Sequence, residues 1–344
     1  MQLLKNAKRT FFILCLCIPF ILLGCGEEGS SDAGTSGSGT VTIASNNTST
    51  SWYMYTGALA NLLRDAEPVS VTADVLSYAG GVGNAELVHN GEADFATSFN
   101  ITNRWAHEGE VAYEQPMENL RGLVGGINDY YIGIVARDEF LEKHGIESLH
   151  DIREKEIPVR VITNPDGTLA EYSTRLTLEA YGLDYEMIED FGGSVELTSN
   201  DVIKSKFQDG TADLHILAMS KAHPVITEIA VQTDITVLGI DEDAMKELEK
   251  YGYQEDVFPA GQFEGQDEEV TTGGFKATYI ATEDMDDDLA YTIAKTVYEN
   301  KEALVQAHSS VADFDPEQAA NPDYLGVPLH PGAEKFYKEV GLIE

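Results

Sequence analysis

Three short loops carry the side chains best suited to hold a ligand: Ser45-Asn46-Asn47-Thr48-Ser49-Thr50-Ser51-Trp52-Tyr53, Tyr78-Ala79-Gly80-Gly81-Val82-Gly83-Asn84 and Asn164-Pro165-Asp166-Gly167-Thr168. Each stands just before a helical pattern. It therefore presents unpaired backbone N–H groups beside short hydroxyl and amide side chains at the positive end of a helix, a cradle for a carboxylate or another anion. Asn, Asp, Ser, Thr and Gly also make N-caps and tight turns, and one such loop would mean no more than that. Three in one chain point to binding, because their strand order would bring them to one crevice. Asp166 leaves two readings open. Either it meets a ligand amine, which supplies the partner that a buried carboxylate needs, or it caps the helix at Thr168 and faces solvent. Arg104 and Lys221 are the basic residues nearest the crevice along the sequence, although helix N-termini hold a carboxylate without either.

Sequence motifs for catalysis are missing. There is no Gly-x-Ser-x-Gly elbow, no His-Glu-x-x-His and no Walker loop with its lysine, and Gly80-Gly81-Val82-Gly83 lacks dinucleotide spacing. The eight histidines are scattered without a local pair at metal-ligand spacing. His215 within a strand and His330 in Pro328-Leu329-His330-Pro331 read as structural. Asp94 and Asp213 follow Gly-Glu-Ala and Gly-Thr-Ala, a shared context that suggests strand starts rather than an acid/base pair. Asp286, Asp287 and Asp288 open a helix, where their charge suits the dipole; the central glycine and distal glutamate of a calcium loop are missing from the sequence there. The expectation is a protein without enzymatic activity, metal or cofactor.

The elements that must position these loops alternate along the chain. Val41 to Ser45, Val69 to Leu76 and Asp94 to Ser98 read as strands, with helices over Ser51 to Asp65 and Gly83 to Asn90 between them. A second series begins after Leu120. Val159 to Ile162 and Asp213 to Ala218 read as strands, Thr168 to Tyr181 as a helix with Leu169, Tyr172, Leu176 and Ala180 on one stripe, and Asp201 to Gln208 as a helix ended by Gly210. Near the C-terminus Thr278 to Ala281 is strand-like, and Asp286 to Asn300 is helical with Leu289, Ile293 and Val297 aligned. Such alternation implies the α/β class with parallel sheets covered on both faces, and two series imply two lobes.

Lys5, Lys8 and Arg9 precede an apolar run from Phe11 to Leu23, and Leu22-Leu23-Gly24-Cys25 follows the pattern that marks an exported bacterial lipoprotein. The run is too short to span a bilayer of about 30 Å as a helix. The expectation is a signal peptide over 1–24, lipidation of Cys25, and a flexible Gly/Ser-rich tether through residue 40, which place the folded part outside the cytoplasmic membrane. Cys15 and Cys17 leave with the signal, so the mature fold holds no disulfide and no thiol chemistry. Fifty-nine acidic residues against 22 basic ones give a formal charge of −37, which repels nucleic acid and anionic lipid. The acids are spread along the whole chain, which favours solubility in a saline habitat over steering of a cationic ligand.

At the three loops the sequence resembles the solute-binding proteins of TRAP transporters, the TAXI type. The resemblance runs from Ile43 to Tyr53 through Gly80 to Asn84, Gly91-Glu92-Ala93-Asp94 and Asn164 to Thr168. It ends with Pro259-Ala260-Gly261-Gln262-Phe263-Glu264-Gly265-Gln266-Asp267 and Pro328-Leu329-His330-Pro331-Gly332-Ala333-Glu334-Lys335-Phe336-Tyr337. It implies a two-lobed periplasmic-binding-protein-like fold of type II with the ligand cleft between lobes. It also implies capture of a small organic carboxylate such as glutamate, another amino acid or 2-oxoglutarate, and delivery to a membrane permease.

Lobe 1 would comprise 41–135 with about 273–344, and lobe 2 136–272, the second boundary lying between 238 and 278. The ligand contacts carried over are Asn46, Asn47, Thr48 and Tyr53, Gly81 and Asn84, Asn100, Asp166, Gly167 and Thr168, with Met219 and Ser220 at a strand end. The sequence departs from the family where asparagines replace first-loop glycines, where Trp52 replaces a common tyrosine, where Gly81 and Gly83 stand for Ser and Glu, and where Asp166 adds an acid. These changes narrow the pocket and alter its hydrogen bonding. A surface sensor would have the same pocket, whereas an extracellular hydrolase would need a convergent nucleophile or acid/base pair.

Overall fold

Short β-branched and aliphatic runs settle as strands here because helices cover the sheet they build. The computed structural model describes residues 40–48, 50–78 and 80–344, so the expected signal, Cys25 and the tether before residue 40 lie outside the described residues. The strands are β1 (Thr40–Ser45), β2 (Thr72–Ser77), β3 (Phe95–Phe99), β4 (Leu120–Arg137), β5 (Arg160–Thr163), β6 (Ser194–Leu197), β7 (Leu214–Met219), β8 (Ile235–Leu238), β9 (Gln254–Phe258) and β10 (Val270–Thr282). They form one ten-stranded sheet in the order β2-β1-β3-β10-β4-β7-β5-β6, with β8 paired to β4 and β9 to β10.

Parallel pairing holds for β1 with β2 and β3, and for β5 with β6 and β7. Every pairing of β4 or β10 with another of these strands is antiparallel, which corrects the expectation of purely parallel sheets. A crossover helix returns the chain for a parallel neighbour. β4 and β10 instead run through both halves of the sheet. β10 pairs with β3 over Ala277–Ala281 and with β9 over Val270–Gly274, while β4 pairs with β7 over Tyr131–Ala136. The described residues thus hold together as one compact unit.

β4 carries Gly122, Gly125, Gly126 and Gly133 along its length. In the structure these glycines are contact points: a Cβ there would meet Leu325, Tyr324, Tyr324 and Met219 respectively, each within 3 Å.

The helices begin where the caps place them. Thr50, Thr168 and Asp286 accept N–H bonds at the starts of Ser51–Leu62, Leu169–Ala180 and Asp287–Glu299. The buried face of Leu169–Ala180 differs from the apolar stripe expected: Leu169 and Leu176 are buried, but so are Ser173, Thr174 and Thr177. The Thr174 hydroxyl is 2.8 Å from that of Thr163, and the Ser173 hydroxyl 2.8 Å from that of Tyr253, so polar contacts replace apolar ones at that interface. A second buried cluster, including Phe207, Met219, Ile226 and Phe258, lies in the second half of the sheet. Among the described residues no helix is long and apolar enough to cross a membrane.

Gly332 shows how closely the elements pack. It lies in the helix Pro331–Glu339 against the start of Asp287–Glu299, and a Cβ would stand 2.0 Å from the Asp287 carbonyl oxygen. Glycine to alanine normally stabilises a helix interior by roughly 0.5–1 kcal/mol. Here the sign reverses, and thermal unfolding of Gly332→Ala is expected to show a loss of about 1–3 kcal/mol from overpacking.

Candidate functional site

The end of β1, the start of the helix Ser51–Leu62, the middle of β4 and the end of β7 converge on a cavity of about 640 Å³. Asn46, Thr50, Ser51 and Trp52 form one wall, Asn128 and Tyr130 the floor from β4, and Ser220 to Val225 the facing wall. His308, Ser309, Ser310 and Asp313 close one end. The first loop is ordered by its own bonds. The Asn47 N–H donates to Asn46 Oδ1 at 2.7 Å, and the Thr50 hydroxyl donates to the Asn47 carbonyl at 2.7 Å. Gly80 of the second loop packs behind Asn46, where a Cβ would lie 2.8 Å from the amide carbon and the backbone sits at φ +72°.

Lys221 is the lysine that lines the cavity, and it is shared. Its Nζ lies 2.7 Å from Asp313 and 3.4 Å from Asp129. Burial works against its charge, but the two carboxylates outweigh that and hold its pKa above the ordinary lysine value. His223 is pushed down to about 4 by burial alone, so it is neutral near pH 7. Burial raises the Tyr130 phenol above its usual value, with the polar groups of Ser51, Trp52 and Asn128 opposing that rise.

Of the residues expected at the site, Asn46 and Ser220 line the cavity, joined by Thr50, Ser51 and Trp52 of the same first loop. Asn47 and Thr48 are exposed at the loop tip, and Tyr53 is half-buried one step into the helix. Gly81 lies beside Gly80 at φ +54°. Asp166 and Gly167 are exposed, and Thr168 is the cap of its helix, donating to the Pro165 carbonyl at 2.7 Å and accepting from the Glu171 N–H at 3.3 Å. The third loop reaches the cavity only through Asn164, whose amide donates to Asn200 Oδ1 at 2.7 Å; Asn200 is a lining residue.

Three side chains are occupied elsewhere, which corrects their placement in the crevice. The Asn84 amide is fully buried and donates to the carbonyls of Thr97, Ser45 and Ala44 at 2.8, 3.3 and 3.5 Å. Asn100 accepts from the Lys276 N–H and donates to the Asp323 carbonyl, both at 2.8 Å. Met219 is buried in the core of the second half. Asn100 and Arg104 instead border a separate cavity of about 670 Å³ between Asn100–Glu108, Gly252–Glu255 and Pro322–Pro328, which none of the three loops reaches.

Asn128, Tyr130, Asn200, His223, His308 and Asp313 were not picked out from the sequence. One signal was available: Asn128-Asp129-Tyr130 interrupts the largely apolar run from Gly122 to Ala136. The turn at His308 is brought in from far along the chain and carries no local mark.

The remaining polar motifs are structural. Asp94 Oδ2 accepts the Thr42 N–H at 2.6 Å, and Asp213 Oδ2 accepts the Arg160 N–H at 3.0 Å. Each half of the sheet therefore starts a parallel strand against the same kind of carboxylate clamp. His330 caps its helix by accepting the Gly332 N–H at 3.1 Å. His215 contacts the Ile162 carbonyl through Nδ1 at 2.8 Å, which assigns the proton to that nitrogen and leaves Nε2 without a partner. Among the described residues no group of three or more His, Cys, Asp or Glu is arranged to hold a metal ion.

Residues 43–341 match the model of the NMT1-like family. The structure is similar to XAC2383 from Xanthomonas citri bound to chloride ion, at a TM-score of 0.51 and 11% identity over 89% of this chain and 96% of that one. It is also similar to MatC from Rhodopseudomonas palustris with bound malate, at 0.51 and 12% over 89% and 99%. The fold is the two-lobed α/β architecture of periplasmic binding proteins.

Two stability outcomes follow from these contacts. Asn84→Ala removes the donor for three buried strand-end carbonyls and is expected to cost about 1–3 kcal/mol in denaturant unfolding. His215 and His223 are both held at about 4, below the 6.5 of an unperturbed histidine. A lowered folded-state pKa contributes stability that is complete above about 6.5 and lost as pH falls toward 4. Unfolding midpoints should therefore drop across that window, with both rings still neutral at pH 5 in an NMR titration.

Proposed function

The chain belongs to the NMT1-like family, whose members are periplasmic-binding-protein-like, and from that premise we propose that it is the solute receptor of a TRAP-type transporter of the TAXI kind. It captures a small organic carboxylate, such as glutamate, another amino acid or 2-oxoglutarate, and passes it to membrane permease subunits. The observation that carries this reading is the cavity of about 640 Å³, walled on one side by Asn46, Thr50, Ser51 and Trp52 and on the other by Ser220 to Val225. That volume falls within the roughly 300–1,000 Å³ typical of small-molecule sites. The helix start at Ser51 and the hydroxyls and amides around it suit an anionic group. The TAXI assignment is supported by the ordered series of motifs from Ile43 to Tyr337.

The moving bodies in this reading are residues 41–135 with about 273–344, and residues 136–272. Lys221 belongs to the second and Asp313 to the first, so their ion pair crosses the mouth of the cleft. A ligand favours the closed form only through contacts it makes with both bodies. Lipid on Cys25 and the tether behind it would keep the receptor at the outer face of the membrane, near its permease.

A ligand that binds only the folded state raises the melting temperature by mass action, by about 2.7 kcal/mol of stability at 100 times its dissociation constant. In a thermal-shift screen of amino acids, 2-oxoacids and dicarboxylates, at least one acid should raise the midpoint of the wild-type chain. Ser220→Trp, which fills the cavity from one wall, should fold and show no shift. A wild-type chain that none of these acids stabilises would overturn the reading.

A further inference from the structure

Resting on that reading of the cleft, we propose that the captured acid carries an ammonium group beside its carboxylate, an α-amino acid rather than a 2-oxoacid or a dicarboxylate, and that Asp313 is the residue that selects it. Lys221 and Asp313 both line the cavity, and they end a chain of alternating charges. Asp256 lies 3.0 Å from Lys276, Lys276 2.8 Å from Asp129, Asp129 3.4 Å from Lys221, and Lys221 2.7 Å from Asp313. The chain runs from β9 through β10 and β4 to the cleft, and it sets three carboxylates against two ammonium groups. One negative charge is left over.

The inner members are the least accessible, with 12% of the Lys276 side chain and 21% of that of Asp129 exposed, whereas 56% of the Asp313 side chain is exposed. A ligand therefore meets the chain at Asp313. That residue gives Oδ2 to Lys221, and its Oδ1 accepts no hydrogen bond among the described residues. After burial itself, the charges of Asp129, Asp256 and Asp313 raise the Tyr131 phenol above its usual value, so their joint field is felt in the strand beneath the cavity. The lining histidines do not offset it. His223 is buried and neutral near pH 7, and His308 accepts the Ser310 N–H through Nδ1 at 3.1 Å, the role of a neutral ring.

An α-amino acid answers both sides of such a site. Its ammonium group continues the alternation beyond Asp313 as a charge-assisted hydrogen bond. Its carboxylate falls to the wall at the helix start, where Trp52 and Asn128, 2% and 6% exposed, line the cavity and carry a buried indole N–H and a buried amide nitrogen without partners among the described residues. A buried donor left unpaired is costly, and an acceptor on the ligand relieves that cost. A 2-oxoacid of the same skeleton brings the carboxylate without the ammonium and adds its charge to the surplus. Like charges brought together in this way exclude a competitor, so the cleft discriminates by repulsion as well as by attraction.

Calorimetry on matched pairs tests this: L-glutamate with 2-oxoglutarate, L-alanine with pyruvate and L-leucine with 4-methyl-2-oxopentanoate, with succinate alongside. In the tightest pair the amino acid should bind at least about tenfold more strongly than its 2-oxoacid. Asp313→Asn is nearly isosteric, removes the ammonium acceptor and releases Lys221 toward an anion. It should narrow that ratio to less than about threefold with circular dichroism unchanged, whereas Asp313→Glu, which keeps the charge, should keep the order of the pair. Binding of a 2-oxoacid or succinate as tightly as the amino acid, or a ratio within twofold of wild type in Asp313→Asn, would overturn the selection by Asp313 and leave the carboxylate receptor standing. If no acid of the panel binds the wild-type chain, the carboxylate reading of the cleft and this inference fall together.

Discussion

The structure depends on the pairing of β4 with β10, two strands that belong to both halves of the sheet. Their register runs from Gly274 opposite Tyr131 to Thr282 opposite Leu120, with irregularities around Tyr279. β4 changes neighbours around Tyr131: β10 pairs with it up to that residue, β7 from that residue to Ala136, and β8 over Ile134–Arg137. Tyr130 and Asn128 reach the cavity because they lie at this handover. A strand that ended at Ala136 without the preceding segment would leave the cavity without its floor.

Charge is managed at the same place. Lys276 of β10 lies 2.8 Å from Asp129 of β4 and 3.0 Å from Asp256 of β9, with only 12% of its side chain exposed. Burial opposes its charge, and the two carboxylates outweigh that opposition. Asp129 is thus shared between Lys276 at the strand crossing and Lys221 at the cleft. In a chain with 59 acidic residues self-repulsion disfavours the compact state, and these two lysines sit where carboxylates from different elements are forced close together. Removing one member of such a part-buried network typically costs more than the pair contributes, because a charge is left unpaired.

Local chemistry made much of the fold legible. Thr50, Thr168 and Asp286 are helix caps whose residue types announce them, and β1, β3, β5 and β7 are short apolar runs between turn residues. The matched contexts of Asp94 and Asp213 correctly pointed to strand starts. The antiparallel strands were harder to read, because β4 carries glycines at contacts with Leu325, Tyr324 and Met219 that are distant along the chain or across the sheet. The same limit applies to the cleft. Asn46 and Ser220 could be read from loop position, but the direction of a buried amide cannot. Asn84 has the composition of a ligand residue and the environment of a strand clamp, a distinction made only by the carbonyls of Ala44, Ser45 and Thr97 around it.

By itself the sequence determined the α/β alternation, the helix starts, the apolar faces and the presence of polar loops at strand ends, because caps, periodicity and turn residues act within a few positions of one another. Which loops meet was decided only by the tertiary structure. The passage of β4 and β10 through both halves carries Tyr130 beside Trp52, and it sets Lys221 against Asp313, 92 positions away. Such contacts depend on strand order and register, which arise from how distant segments compete to bury the same surface, and no local pattern records the outcome.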